Sequence, residues 1–130
     1  MIQLDTHSLL WLVLQPDKLS SNARTAIEAS ILNGEKIAIS IMSLWEIAHL
    51  VSRGRILLNV STETFLDEIE ANYEVLPITC AIAIAAATLP AHFPKDPIDR
   101  LITATALCAD LTLITVDSSI LASNSCKLLW

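Results

Sequence analysis

Short apolar, β-branched runs alternate along this chain with stretches whose apolar residues recur at helical spacing, and that alternation constrains the fold more than any other feature. Met1–Leu4 reads as a first strand, with a helix over Thr6–Leu14 directly behind it. Pro16 and Asp17 make a turn. Ser20 or Ser21 caps a helix carrying Ala23, Ala26, Ile27 and Ile31, which Asn33-Gly34 ends. Lys36–Ser40 is the second strand, and Ser43 opens a helix bearing Leu44, Ile47, Ala48 and Val51. A helix over Ser61–Asn72 precedes a third strand, Tyr73–Ile78, after which Thr79 caps an alanine-rich helix running to Leu89. Pro90–Pro94 is an irregular loop, and Asp96-Pro97 starts a helix that reaches Ala109. Leu111–Val116 is the fourth strand, a short helix begins at Asp117, and Lys127–Leu129 is an edge-strand candidate. Strands separated by helices need crossover connections, so the expected architecture is α/β: a mostly parallel central sheet between two helical layers.

In such sheets ligands sit beyond the carboxyl ends of the strands, and acids occupy those places here. Asp5 follows the first strand and Asp117 the fourth; Glu46 lies one turn into the helix after the second strand; Asp96 and Asp99 open the helix that leads back to the fourth. Taken singly, each has an ordinary explanation. Asp5, Asp96 and Asp117 fit as N-caps, Ser43-x-x-Glu46 fits a capping box, and Asp99 favours the helix dipole from the third helical position. Jointly they do not. Carboxylates about 5 Å apart repel by about 3 kcal/mol per pair at an effective dielectric near 20, more than capping gains of about 1 kcal/mol return. A divalent cation removes that repulsion, and carboxylate oxygens with retained waters suit Mg²⁺ or Mn²⁺. One or two such ions would activate water against a phosphodiester. Between Asp96 and Asp99, Asp99 is the expected ligand, because an N-cap side chain turns back to its own backbone; Asp96 is expected just outside the metal.

Composition narrows the partners. With 130 residues, 53% of them hydrophobic, and only 2 Gly, the chain is expected to form one domain over residues 1–130 with a well-buried sheet and enough apolar surface for a dimer. No run approaches the length of a membrane span, and no basic signal segment opens the chain, so a cytoplasmic protein is expected. Cys80, Cys108 and Cys126 form no C-x-x-C pair and are expected as buried free thiols. The net charge of −6 disfavours a protein that grips nucleic acid with a broad basic surface, but not one whose metal carries the positive charge. His7, His49 and His92 match no ligand spacing, and His7 is expected to be a partly buried structural histidine; Trp11 and Trp45 are expected as core or interface anchors. Arg53 and Arg55 end the Glu46 helix, where cations favour the dipole and an RNA or protein contact is the secondary reading.

Four segments together resemble the PIN-domain ribonucleases, and more closely the VapC-type toxins of bacterial toxin–antitoxin pairs. They are Leu4-Asp5-Thr6-His7-Ser8-Leu9-Leu10-Trp11, Ser43-Leu44-Trp45-Glu46-Ile47, Lys95-Asp96-Pro97-Ile98-Asp99-Arg100-Leu101-Ile102 and Leu113-Ile114-Thr115-Val116-Asp117. Each is weak alone; four in order and spacing, over essentially the whole chain, are specific. The resemblance implies a three-layer α/β/α PIN-like sandwich and a Mg²⁺ or Mn²⁺ site made by Asp5, Glu46, Asp99 and Asp117. It implies endonucleolytic cleavage of RNA, with Thr6 and Thr115 helping to hold metal, water or phosphate and Arg100 reaching the substrate. It further implies a homodimer held in check by an antitoxin, which alone would contact operator DNA. The competing reading is a catalytically silent PIN-like module that acts by binding protein. A haloacid-dehalogenase-like phosphatase would need an acid at position 7, which is His, and a receiver domain would need a lysine after the last strand.

Overall fold

The computed structural model describes all 130 residues. Five strands of two or three residues form one parallel sheet: β1 (Ile2–Leu4), β2 (Ala38–Ser40), β3 (Glu74–Leu76), β4 (Thr112–Ile114) and β5 (Leu128–Leu129), in the order β3-β2-β1-β4-β5. Seven helices connect them: α1 (Thr6–Leu14), α2 (Ser21–Leu32), α3 (Ile41–Ser52), α4 (Thr62–Asn72), α5 (Cys80–Ala87), α6 (Pro97–Cys108) and α7 (Ser118–Ser123), with a 3₁₀ turn at Pro16–Lys18. The expected α/β sandwich is what the chain forms, including the edge strand at its end.

The pleat sends alternate residues of β1 and β4 to opposite faces of the sheet. Ile2, Leu4, Ile39 and Ile114 join Leu9, Ile27, Ile47, Phe65 and Ile69 in the larger core, beneath α1 to α4. Leu113 faces the other way, into a smaller core with Phe93, Ile102 and Ile120. Gln3, at the centre of the sheet, is fully buried toward α6, where its amide donates to the Ile102 carbonyl at 2.9 Å.

β1 pairs with β2 on one side and β4 on the other, so the connections diverge from β1. The gap between the carboxyl ends of β1 and β4 is the topological switch point, where open parallel sheets leave a crevice. The Asp5 N–H and the Ser8 hydroxyl both donate to the Ile114 carbonyl, each at 3.1 Å, which ties the two strand ends together.

Two local expectations change. Helix α3 begins at Ile41, not Ser43: the Ser40 hydroxyl accepts from the Met42 N–H at 3.2 Å and so supplies the cap. Ser43 and Ile47, one turn apart, both face inward. No capping box therefore engages Glu46. The cysteines also differ from expectation, since Cys80 and Cys108 are exposed and Cys126 is half-buried. Cys80 occupies the first position of α5 and Cys108 the last of α6, where the helix face turns away from the sheet.

Candidate active site

Asp5 caps α1 with its Oδ1, which accepts from the Ser8 N–H at 2.8 Å, and it is 9% exposed. Asp117 caps α7 in the same way, its Oδ1 accepting from the Ser119 and Ile120 N–H groups at 2.8 and 3.0 Å. Asp96 caps α6, accepting from Ile98 and Asp99 N–H at 2.8 and 3.3 Å. These are the bonds that the ordinary reading of each acid expected. They engage one oxygen of each carboxylate and leave Oδ2 of Asp5 and Asp117 unbonded. Glu46 and Asp99 are half-buried, and no hydrogen bond satisfies either side chain.

The acids share one electrostatic field. The Asp99 carboxyl is pushed up from 3.8 to about 7, first by burial and then by repulsion from Asp96, Glu46, Asp117 and Asp5. That the four other candidate acids all act on this one group is what a convergent cluster at the switch point requires. Asp99, at the third position of α6, is the acid toward which the others converge, while Asp96 faces solvent and serves its cap.

Small polar groups set the backbone around them. Thr115 is fully buried, and its Oγ1 accepts from the Asp117 N–H at 3.1 Å, which orients the turn that presents Asp117. The buried Thr6 hydroxyl donates to Ser43 Oγ at 3.1 Å and so joins the first turn of α1 to that of α3, near Asp5 and Glu46. Ser43 and Ser8 had no assigned site role in the sequence. The available signal for Ser43 was a polar residue four before Ile47, on the inward face of an otherwise apolar helix.

Arg100 does not stand free in the crevice. Its guanidinium donates to the carbonyls of Pro94, Ala86 and Phe93 at 3.0, 3.2 and 3.4 Å and lies 5.7 Å from the Phe93 ring centre. It pins the loop before α6 against α5, and that fixes where Asp96 and Asp99 begin their helix. His7 is exposed, with its ring edge-on to Trp11 at 6.4 Å, where a partly buried histidine was expected. Trp11 packs on Trp130 at 5.6 Å, whereas Trp45 is 53% exposed and stacks on His49 at 4.9 Å.

The donor set is all carboxylate, the chemistry that hard divalent ions prefer. The side chains do not close into a shell: no three Asp, Glu, His or Cys groups stand close enough together to hold a metal ion directly. That spacing does not suit a fully protein-liganded structural zinc. It is compatible with a largely hydrated ion held through one or two carboxylates and water.

Comparison with known proteins agrees with this architecture. Residues 2–123 match the PIN domain. The chain is 34% identical over 116 residues to ribonuclease VapC22 of Mycobacterium tuberculosis, covering 89% of this chain and 86% of that protein. Among solved structures, VapBC2 from Rickettsia felis bound to a DNA fragment from its promoter superposes with a TM-score of 0.75 at 20% identity, covering 100% of this chain and 99% of the other. DNA-bound VapBC from Salmonella typhimurium gives 0.73 at 19% identity, covering 99% and 98% of the two chains. A toxin–antitoxin complex from Klebsiella pneumoniae gives 0.69 at 20%, covering 100% and 97%. With sequence, fold and the order of its acids in agreement, the chain belongs to the PIN-domain family, among its VapC-type members.

Proposed function

We propose that this chain is a Mg²⁺- or Mn²⁺-dependent endoribonuclease and the toxin half of a toxin–antitoxin pair. The observation that carries the reading is Asp99, whose carboxyl is raised to about 7 first by its burial and then by the charges of Asp96, Glu46, Asp117 and Asp5. Capping accounts for Asp5, Asp96 and Asp117 one at a time, but not for Glu46 and Asp99 beside them, and the mutual repulsion of the five works against the fold. The VapC22 relative, named as a ribonuclease, supplies the substrate class.

In this reading Asp5, Glu46, Asp99 and Asp117 hold the metal, directly or through water. When bound, the metal would neutralise the phosphate and lower the pKa of an attacking water. The other groups position these acids. Asp5 and Asp117 keep Oδ1 on their caps and offer Oδ2 to the crevice. Thr115 fixes the Asp117 backbone, the Thr6–Ser43 bond fixes the spacing of α1 and α3, and Asp96 and Arg100 set the start of α6. Asp99 would take part as the carboxylate, the form that a bound cation favours.

Two partners follow from the same reading. The VapBC complexes among the structural relatives support an antitoxin, and a chain of net charge −6 would meet operator DNA only through it. Homodimer formation is supported by Ile41 and Trp45, which α3 exposes one turn apart, and by exposed Ile84 on α5. No helix is long and apolar enough to cross a membrane. The deciding assay is cleavage of total RNA by purified protein with Mg²⁺, with Mn²⁺ and with EDTA, beside Asp5→Asn. Metal-dependent cleavage that the variant loses is the expected outcome; equal cleavage by both would overturn the assignment.

A further inference from the structure

A second cleft, of about 800 Å³, opens between the C-terminal halves of α1 and α3. Leu10, Trp11 and Leu14 line it from α1, and Leu50 and Arg55 from α3 and the turn after it, with Lys18 at its far end and His7 at its near end. In a chain with 14 acids and 8 basic residues, not one Asp or Glu lines this cleft. A neighbouring cavity of about 490 Å³, between α1 and α4, contains Glu35 and Glu68. Neither Lys18 nor Arg55 forms an ion pair; the ion pairs in the molecule are Met1 with Glu35 and Lys127 with Asp110. The Lys18 ammonium is instead held 5.6 Å over the Trp11 ring.

Cations near the C-terminal ends of α1 and α3 would complement the helix dipoles whatever the function. That accounts for each cation separately. It does not account for their meeting, unpaired, over one cleft beside Trp11, nor for where the cleft leads. The helices that flank it are the ones that carry Asp5 and Glu46, and the Thr6–Ser43 bond of 3.1 Å joins them at the acidic end. From that end, α1 extends nine residues, about 13 Å, toward Lys18. Unpaired cations beside an aromatic ring and flat apolar walls are the elements with which proteins hold single-stranded nucleic acid.

We propose that this cleft holds the stretch of single-stranded RNA adjoining the bond to be cut, with Lys18 and Arg55 on its phosphates and the Trp11, Leu14 and Leu50 walls against its bases. This rests on the ribonuclease reading and adds the path by which substrate enters the acidic site. It would also give an acidic protein a local strip carrying Lys18 and Arg55 with which to grip a polyanion.

The test uses the full chain with Lys18→Ala, Arg55→Ala and the double variant, all at exposed positions. Binding of a short labelled single-stranded RNA is read by fluorescence anisotropy in EDTA over a range of salt, and cleavage of the same RNA is read with Mg²⁺. Each single variant should weaken binding and raise KM about 3- to 10-fold with kcat within twofold, and the slope of log K against log salt should become shallower by about 0.7 for each phosphate no longer neutralised. Lys18→Arg and Arg55→Lys, which keep the charge, should restore most of the affinity. A double variant with wild-type KM and salt slope overturns the proposal. So does one that loses affinity only for an acidic amphipathic peptide, since the cleft would then be a protein-docking groove. Wild type that binds RNA through these residues but cleaves none would refute the nuclease reading and leave the cleft assignment standing. Cleavage that survives the double variant with unchanged KM would do the reverse.

Discussion

Replacing Asp99 with Asn should make the metal-free protein more stable, and by an amount that depends on pH. The wild-type carboxyl is raised from 3.8 to about 7 in the folded chain, so between those values the folded state holds a proton that the unfolded state has released. A raised carboxyl pKa favours the folded state at low pH. Wild type therefore loses stability as pH climbs through that window, and the loss is complete above about 7. At 1.36 kcal/mol per pH unit the full difference is about 4 kcal/mol; because Asp99 is only half-buried, screening by water and salt reduces it to about 1–2 kcal/mol. Asparagine has nearly the same shape and no charge, and it forgoes about 0.5 kcal/mol of helix-dipole attraction. Thermal melts in EDTA at pH 8 should thus place the variant roughly 3–8 °C above wild type. At pH 4.5 most of that gap should vanish. Saturating Mg²⁺ should reverse the ranking, because wild type gains binding energy that the variant lacks. A variant that is less stable than wild type at pH 8 in EDTA, or a gap equally wide at pH 4.5, would refute the picture of Asp99 strained by its neighbours.

Arg100→Met should cost about 2 kcal/mol in chemical denaturation, because three carbonyls of the loop and α5 lose a charged donor, and Pro90–Pro94 should become the first protease cleavage site. Unchanged stability and digestion would show that the loop holds its shape without the clamp. If the chain dimerises through α3 as proposed, Trp45→Arg should shift the sedimentation profile from dimer toward monomer while the far-UV spectrum is preserved, since the side chain is 53% exposed and contributes little to the core. An unaltered profile would place any dimer contact on another face.

The alternation of apolar runs and helical patterns was enough to fix the layers and the parallel pairing, because those follow from hydrophobic period and crossover geometry alone. Residue choice at the helix starts was legible too: Asp5, Ser20, Thr79, Asp96 and Asp117 all accept the capping bonds their identities suggested. What did not read from sequence were facts decided by distant partners. Ser40 displaced Ser43 as the α3 cap, which freed Ser43 to meet Thr6, 37 positions away. The family resemblance implied that Arg100 reaches the substrate, and only the folded loop shows the three carbonyls that engage it. The cysteines were misplaced for a similar reason: an alanine-rich helix such as α5 is apolar all round, so its pattern cannot say which side meets the sheet.

In the proposed reading the acids at positions 5 and 117 would each perform two tasks with two different oxygens, and this gives a way to separate fold from chemistry. Oδ1 of Asp117 accepts from the Ser119 and Ile120 N–H groups, and its Oδ2 is the atom left for the crevice. Asparagine is about as good an N-cap as aspartate, whereas alanine forfeits about 1 kcal/mol. Asp117→Asn should therefore melt within about 2 °C of wild type in EDTA, while Asp117→Ala melts roughly 3–5 °C lower. Both should lose the stabilisation that Mg²⁺ confers on wild type, and both should lose cleavage. If asparagine instead kept the magnesium response, Asp117 would be only the cap of α7 and the metal would rest on the remaining acids. If asparagine destabilised as much as alanine, the charge on Asp117 would be holding α7 in place. The shared use of a carboxylate by a helix end and a catalytic crevice is thus resolved by a pair of variants, because one substitution removes the charge and the other removes the charge and the cap.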